Sequence, residues 1–200
     1  MYSVGLTGNF GMGKSTVLRL FGELGAFTYS ADDFVHKLLE KERIVQRIAG
    51  VLGSDVLIKE SKKNSLDKKK VADIIFNNPQ QRQAVEGILH PEVLRAIKRT
   101  KTDIAGKKPS ALIVFEVPLL FEAGYKNIFD LSVVVYCTQH VALTRLAKKG
   151  FSNEEVMKRT GSQLSITEKK KRADFVINNN NGIARTASQV KKIFNRLTHA

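Results

Sequence analysis

Eight residues near the N-terminus, Gly8-Asn9-Phe10-Gly11-Met12-Gly13-Lys14-Ser15, constrain this chain more than any other stretch. They fit the spacing G-x-x-x-x-G-K-[ST] without a mismatch. Before them, Tyr2-Ser3-Val4-Gly5-Leu6-Thr7 suits a buried strand. After them, Val17, Leu18, Leu20, Phe21 and Leu24 recur at helical spacing. Glycines let successive backbone N–H groups turn toward one anion, and the helix N-terminus adds its positive dipole end. Lys14 can reach β- and γ-phosphates as a mobile charge, and Ser15 can offer its hydroxyl to Mg²⁺. Strand, loop and helix stand in the order a triphosphate cradle requires, so a bound nucleoside triphosphate is expected.

The rest of the chain must supply a fold and a use for that phosphate. Its 200 residues suit one α/β domain with insertions. A net charge of +14 suggests polyanionic partners, either nucleic acid or a heavily phosphorylated small molecule. Much of that charge lies in Lys62-Lys63, Lys68-Lys69-Lys70, Lys107-Lys108 and Lys169-Lys170-Lys171, which read more readily as solvated faces than as sites. The single cysteine, Cys137, follows an apolar run and reads as a buried, inert thiol in a reducing compartment. No secretory signal or membrane-spanning run is visible, so a cytoplasmic protein without a membrane partner is expected.

In chain order, the first helix is expected to end near Gly25, and Ala26-Phe27-Thr28-Tyr29 reads as a second strand. The β-α-β order calls for a right-handed crossover and a parallel sheet. Ligands of such sheets sit at the strands' carboxyl ends, which places Asp32 and Asp33 close to the phosphate loop. From residue 34 to about 105 the pattern is helical, with no convincing strand. Ala111-Leu112-Ile113-Val114-Phe115 is a covered central strand closed by Glu116. Glu116 reads either as an acid that orders Mg²⁺ by Walker-B logic or as an ordinary strand-end carboxylate. Leu131-Ser132-Val133-Val134-Val135-Tyr136 is another buried strand, followed by a basic helical segment with capping boxes at Ser152/Glu155 and Ser165/Glu168. Asp174-Phe175-Val176-Ile177 is a last strand, and a helix striped by Ile183, Ala187, Val190, Phe194 and Leu197 closes the chain.

A phosphate loop does not by itself separate kinases, GTPases and motor ATPases. No guanine-reading Asn-Lys-x-Asp segment is present, and a motor usually needs a longer chain. A small sheet, a helical insertion and a basic segment before the last strand suit a small kinase whose lid closes over ATP. A kinase acting on a hydroxyl profits from a carboxylate that takes its proton. Asp32, the first acid past the second strand, suits that role, with helix capping as the plainer alternative.

Several motifs now point one way. Gly5-Leu6-Thr7-Gly8 leads into the loop, Leu24-Gly25-Ala26 follows the first helix, and Ser30-Ala31-Asp32 follows the second strand. Leu89-His90-Pro91 lies in the insertion and Pro118-Leu119-Leu120-Phe121-Glu122 after the third strand. Arg145, Arg159 and Gln163 lie in the basic segment, and Ala173-Asp174-Phe175-Val176-Ile177 with Asn179 near the end. Together they resemble the dephospho-CoA kinase family over nearly the whole chain. Ser30 stands where that family has an acid, and Lys149 where it usually has arginine, which loses the bidentate fork.

The resemblance implies an α/β, three-layer P-loop kinase fold with a parallel central sheet. Its core would comprise residues 1–33, 110–140 and 173–200, with a helical acceptor-binding insertion at about 34–109 and a helical lid at about 141–172. It implies transfer of the γ-phosphoryl of ATP to the ribose 3′-hydroxyl of dephospho-CoA, with Mg²⁺. Gly11, Met12, Gly13, Lys14, Ser15 and Thr16 would cradle the triphosphate, with Arg145 and Arg159 from the lid. Asp32, Lys14 and Arg145 would be catalytic, and Ser15 and Glu116 would serve the metal. His90, Leu120 and Phe121 would shape the acceptor site, with a helix-end histidine and core packing as the plainer readings. A monomer or weak homo-oligomer is expected. A nucleoside or nucleotide kinase of the same architecture, and a nucleic-acid-binding ATPase, remain the alternatives.

Overall fold

The computed structural model describes residues 1–59 and 64–198, so the Lys62-Lys63 pair lies outside the described residues. The chain forms two compact units, one of residues 1–31 with 101–200 and one of residues 32–100.

The first unit holds a parallel sheet of β1 (Tyr2–Thr7), β2 (Phe27–Ser30), β5 (Leu112–Glu116), β6 (Leu131–Tyr136) and β7 (Phe175–Asn178). Their order across the sheet is β2-β5-β1-β6-β7. β1 is central and covered on both faces, which explains its nearly unbroken burial from Ser3 to Thr7. Leu6 pairs with Glu116 and with Val133, and Ser30 also pairs with Glu116, so three strands finish level where the phosphate loop begins. This is the carboxyl edge at which parallel sheets bind ligands.

Helices α1 (Lys14–Glu23) and α9 (Gly182–Thr198) cover one face of the sheet, with Val17, Phe21, Val190 and Leu197 packed on Val4, Leu6, Val114 and Val135. Full burial of a side chain such as Phe21 contributes roughly 1.5–3 kcal/mol. The expected stripe on α9 needs one correction. Ile183 is exposed, and Thr186 and Ile193 are buried in its place, because the face toward the sheet is rotated one position along the helix. Beneath the other face, Phe115 stacks on Tyr29 and meets Phe129 at a tilt, with ring centroids 5.4 and 5.5 Å away.

At the opposite edge two serine–aspartate clasps tie strand starts together. Asp130 Oδ2 accepts from the Ser3 N–H at 2.7 Å and hydroxyl at 2.6 Å, and Asp174 Oδ2 accepts from the Ser132 N–H at 2.8 Å and hydroxyl at 2.6 Å. Burial pushes both carboxyls up, but these bonds, with Lys101 beside Asp130 and Lys126 beside Asp174, outweigh it and hold both below the usual value.

The second unit is mainly helical. It contains α2 (Ala31–Leu39, from its second residue), α3 (Glu42–Leu52), α4 (Lys68–Asn77) and most of α5 (Pro79–Lys107). Ile44, Val45, Ile48 and Leu52 of α3 pack on Val56, Leu66, Val85 and Ile88. The Asp67 side chain caps α4 by accepting from the N–H groups of Lys69 and Lys70.

Two expectations for this stretch are corrected. It contains an antiparallel strand pair, β3 (Leu57–Lys59) with β4 (Asn64–Leu66), each too short for an alternation to be read. His90 is not at a helix end either, since α5 runs through Pro91, which cannot donate to the carbonyl one turn back. Beyond Pro91, the buried Glu92 carboxylate accepts from Arg43 at 2.8 Å and Arg95 at 3.0 Å. Among the described residues no helix is long and apolar enough to cross a membrane.

Candidate active site

The loop between β1 and α1 is shaped by contacts that only its glycines permit. Gly13 lies at φ +92°, and a Cβ there would stand 2.1 Å from Asn179 Nδ2. At Gly8 a Cβ would stand 2.3 Å from the Val135 carbonyl oxygen. No side chain caps the N-terminus of α1, because its capping residue is Gly13. The first-turn amides of Lys14, Ser15 and Thr16 therefore form the positive dipole end without a side chain of the capping residue over them. Ser15 is exposed and Thr16 half-buried on that turn. Lys14 is buried, with Nζ 3.4 Å from the Asn9 carbonyl oxygen, a long bond within the loop itself.

Met12, expected among the phosphate contacts, also holds the loop's shape. Its N–H closes a turn on Asn9 O at 3.3 Å, and its side chain is buried with Cys137 and Ala142. Its carbonyl accepts from Asn179 Nδ2 at 2.9 Å. Burial pushes the Cys137 thiol up, with the Arg145 guanidinium pulling the other way, so it is a protonated packing group.

Asn179 is the hub of the site. It is buried, and all its polar groups are used. Its side chain donates to Met12 and accepts from the Thr186 hydroxyl at 2.9 Å. Its N–H donates to Tyr136 O at 2.8 Å, and its carbonyl accepts from Arg145 Nη2 at 2.8 Å. One residue thus joins the phosphate loop, the ends of β6 and β7, α9, and α6 (Gln139–Ala147), which carries Arg145.

Held this way, Arg145 has its other terminal nitrogen, Nη1, buried without a hydrogen-bond partner among the described residues. That nitrogen lies 3.6 Å from where a Cβ on Gly13 would be. A buried guanidinium nitrogen normally has an acceptor, and an anion in the loop would provide one. The residues present therefore fit a phosphate.

Helices α7 (Asn153–Thr160) and α8 (Ile166–Arg172) complete the expected lid segment. Ser152 and Glu155 form the full capping box. At α8 only half forms, since Ser165 accepts from Glu168 N–H while the Glu168 carboxylate pairs with Lys171. Arg159 sits beside the phosphate loop, its guanidinium 5.1 Å from the ring centroids of both Phe10 and Phe151. Those rings meet edge to face, a support the sequence reading missed because Phe10 and Phe151 lie 141 positions apart.

The acceptor-side expectations fare less evenly. Leu120 is fully buried, and its methyl carbons would lie 3.0 and 3.1 Å from a Cβ on Gly5. Phe121 is buried as well. Both are packing positions, as in the plainer reading of the two. Lys169 is another correction, because it stands in a run read as solvated and is fully buried. Asp32 is exposed in the first turn of α2, directly beyond β2, and His90 is half-buried in α5; both belong to the second unit. Glu116 is half-buried at the end of β5.

A phosphate loop at the carboxyl edge of a 2-5-1-6-7 parallel sheet, with a basic helical segment hydrogen-bonded to it, defines an α/β kinase of the phosphate-loop class. Comparison with known proteins narrows that class. The family model described as dephospho-CoA kinase matches residues 2–185. The dephospho-CoA kinase of Aquifex aeolicus (strain VF5) is 36% identical over 200 residues, covering 99% of this chain and 98% of that protein. Among solved structures, TT1252 from Thermus thermophilus superposes with a TM-score of 0.77 at 30% identity, covering 96% of this chain and 95% of that one. The dephospho-CoA kinase from Campylobacter jejuni gives a TM-score of 0.65 at 29% identity, covering 100% of this chain and 98% of that one. The chain belongs to the dephospho-CoA kinase family.

Proposed function

We propose that this protein is an ATP-dependent kinase that phosphorylates the 3′-hydroxyl of the ribose of dephospho-CoA, the last step in making coenzyme A. The observation that carries the donor half is the buried Nη1 of Arg145 beside Gly13, without a hydrogen-bond partner among the described residues, in a chain of this family. Family membership supports the choice of acceptor.

On this reading, Lys14 and the first-turn amides of α1 hold the β- and γ-phosphates, and Arg145 meets charge developing on the transferring group. Arg159 closes over the loop from its aromatic seat. Asp32 takes the hydroxyl proton as the new P–O bond forms, and His90 helps to shape the acceptor site. Among the described residues no group of three His, Cys, Asp or Glu side chains could hold a metal alone. Mg²⁺ bound with a triphosphate needs only one or two protein oxygens, and Ser15 and Glu116 offer donors of that hard kind. When bound, Mg²⁺ supplies charge neutralisation to the phosphates. We read the protein as cytoplasmic, and as a monomer or weak homo-oligomer.

The test is ADP release with ATP, Mg²⁺ and a panel of acceptors. Turnover is expected with dephospho-CoA. Turnover with a nucleoside but not with dephospho-CoA would overturn the acceptor, and stimulation by DNA or RNA alone would favour a nucleic-acid ATPase. In the same assay Asp32→Asn should retain ATP binding and lose about 10²–10⁴-fold in kcat. A fully active Asp32→Asn enzyme would move the base elsewhere.

A further inference from the structure

Lys169 has no role in the chemistry above, yet its side chain is fully buried and ion-paired with Glu122 at 2.8 Å. Burial pulls this ammonium below the usual lysine value, and Glu122 restores it only in part. A buried pair of this kind is a weak source of stability, because an apolar pair of similar volume usually does as well or better. Its position suggests what it does instead.

The Glu122 carboxylate also accepts from the Leu164 N–H at 2.9 Å. Lys169 Nζ also donates to the Pro118 carbonyl at 3.1 Å, and the Thr7 hydroxyl shares that carbonyl at 3.1 Å. Thr7 is the last residue before Gly8. On its other side, the 163–164 segment meets the phosphate loop directly. The Leu164 carbonyl accepts from Asn9 Nδ2 at 3.1 Å, and Gln163 Oε1 accepts from the Phe10 N–H at 3.1 Å. One turn earlier, Arg159 rests on the Phe10 ring.

We propose that Glu122 and Lys169 form a clasp that positions the 159–164 segment, and through it the phosphate loop, for ATP. Both are positioning residues. Glu122 fixes one face of the segment and leaves its other face to set the loop at Asn9 and Phe10. Lys169 fixes the Pro118 turn from which Glu122 projects. The proposal rests on the reading of the loop as an ATP site, but not on the identity of the acceptor.

The experiment compares melting temperature with ATP affinity, measured by calorimetry on the full chain with Mg²⁺ and no acceptor. The double variant Glu122→Leu with Lys169→Met replaces the pair by apolar groups of similar size. It should melt within a few degrees of wild type, since the orphaned Leu164 N–H offsets what the apolar pair gains, yet bind ATP about tenfold more weakly or worse, because that N–H no longer holds the segment in place. Glu122→Gln with Lys169→Met keeps an acceptor there and should recover most of that loss. Wild-type ATP affinity in the apolar double variant would overturn the proposal. Gln163→Met provides an independent check, since it leaves the pair intact and removes only the acceptor at Phe10. It should weaken ATP several-fold while lowering the melting temperature by no more than a few degrees, and unchanged affinity would count against the clasp. Absence of turnover with dephospho-CoA in the wild-type protein, with its ATP binding intact, would overturn the acceptor reading and leave the affinity comparison between variants to decide this proposal.

Discussion

Replacing Asn179 by alanine removes two side-chain hydrogen bonds from a fully used, buried hub. The two partners differ in what they lose. The Thr186 hydroxyl still donates to Gly182 O at 3.1 Å, so its loss is small. The Met12 carbonyl has its bond from Asn179 at 2.9 Å and then faces a gap left by the amide. An orphaned buried carbonyl costs about 1–3 kcal/mol and the gap adds about 1, so a total near 3 kcal/mol is expected. For a chain of 200 residues each kcal/mol moves Tm by about 2–4 °C, which gives a fall of roughly 6–12 °C. Because Met12 O belongs to the loop, KM for ATP should rise at the same time. Asn179→Asp sharpens the test, since it keeps the acceptor for Thr186 but turns an oxygen lone pair toward the Met12 carbonyl. Thermal melting and ATP titration of both variants are the assays. The aspartate variant should bind ATP more weakly than the alanine variant, and a wild-type Tm and KM in it would refute the hub.

Other outcomes follow from the same geometry. Gly13→Ala forces a Cβ to within 2.1 Å of Asn179 Nδ2 at φ +92° and should abolish measurable ATP binding by calorimetry. Arg145→Lys keeps the charge but cannot both anchor on Asn179 O and present a second nitrogen to the loop, so kcat/KM should fall about 10²-fold in a coupled assay. Ser132→Ala should destabilise by roughly 1 kcal/mol at pH 7, a value kept modest by solvent screening at Asp174. The sign with pH follows from the lowered native pKa of Asp174. The unfolded carboxyl binds its proton near the ordinary value of 3.8 while the native one stays ionised, so the clasp's contribution is full above that pH and lost as pH falls through the native value. Urea unfolding at pH 7 and in acid should show the gap between Ser132→Ala and wild type closing.

Much of the sheet was legible because each strand is either a continuous apolar run or sits beside a motif. β6 appears over Leu131–Tyr136 as expected, and β2, β5 and β7 are each displaced by one residue. The order of strands was not legible, since β1 lies between two strands more than a hundred positions downstream and no local pattern encodes which edges pair. β3 and β4 were hidden by their three-residue length. At the site, the phosphate loop announced itself because its glycine spacing has one physical use. Asn179 did not, because its role depends on Met12, Tyr136, Arg145 and Thr186 converging from separate elements. Lys169 was concealed by two lysine neighbours, and only Ile166 three positions before it hinted at an inward face.

The central claim is that phosphate leaves ATP for one hydroxyl of one acceptor. Phosphorus NMR of the product formed from ATP, Mg²⁺ and dephospho-CoA tests it most directly. A single new phosphomonoester coupled to the ribose 3′ proton, accumulating in step with ADP, is the predicted result. ADP formed without that signal, or a phosphate on another oxygen, would contradict the account.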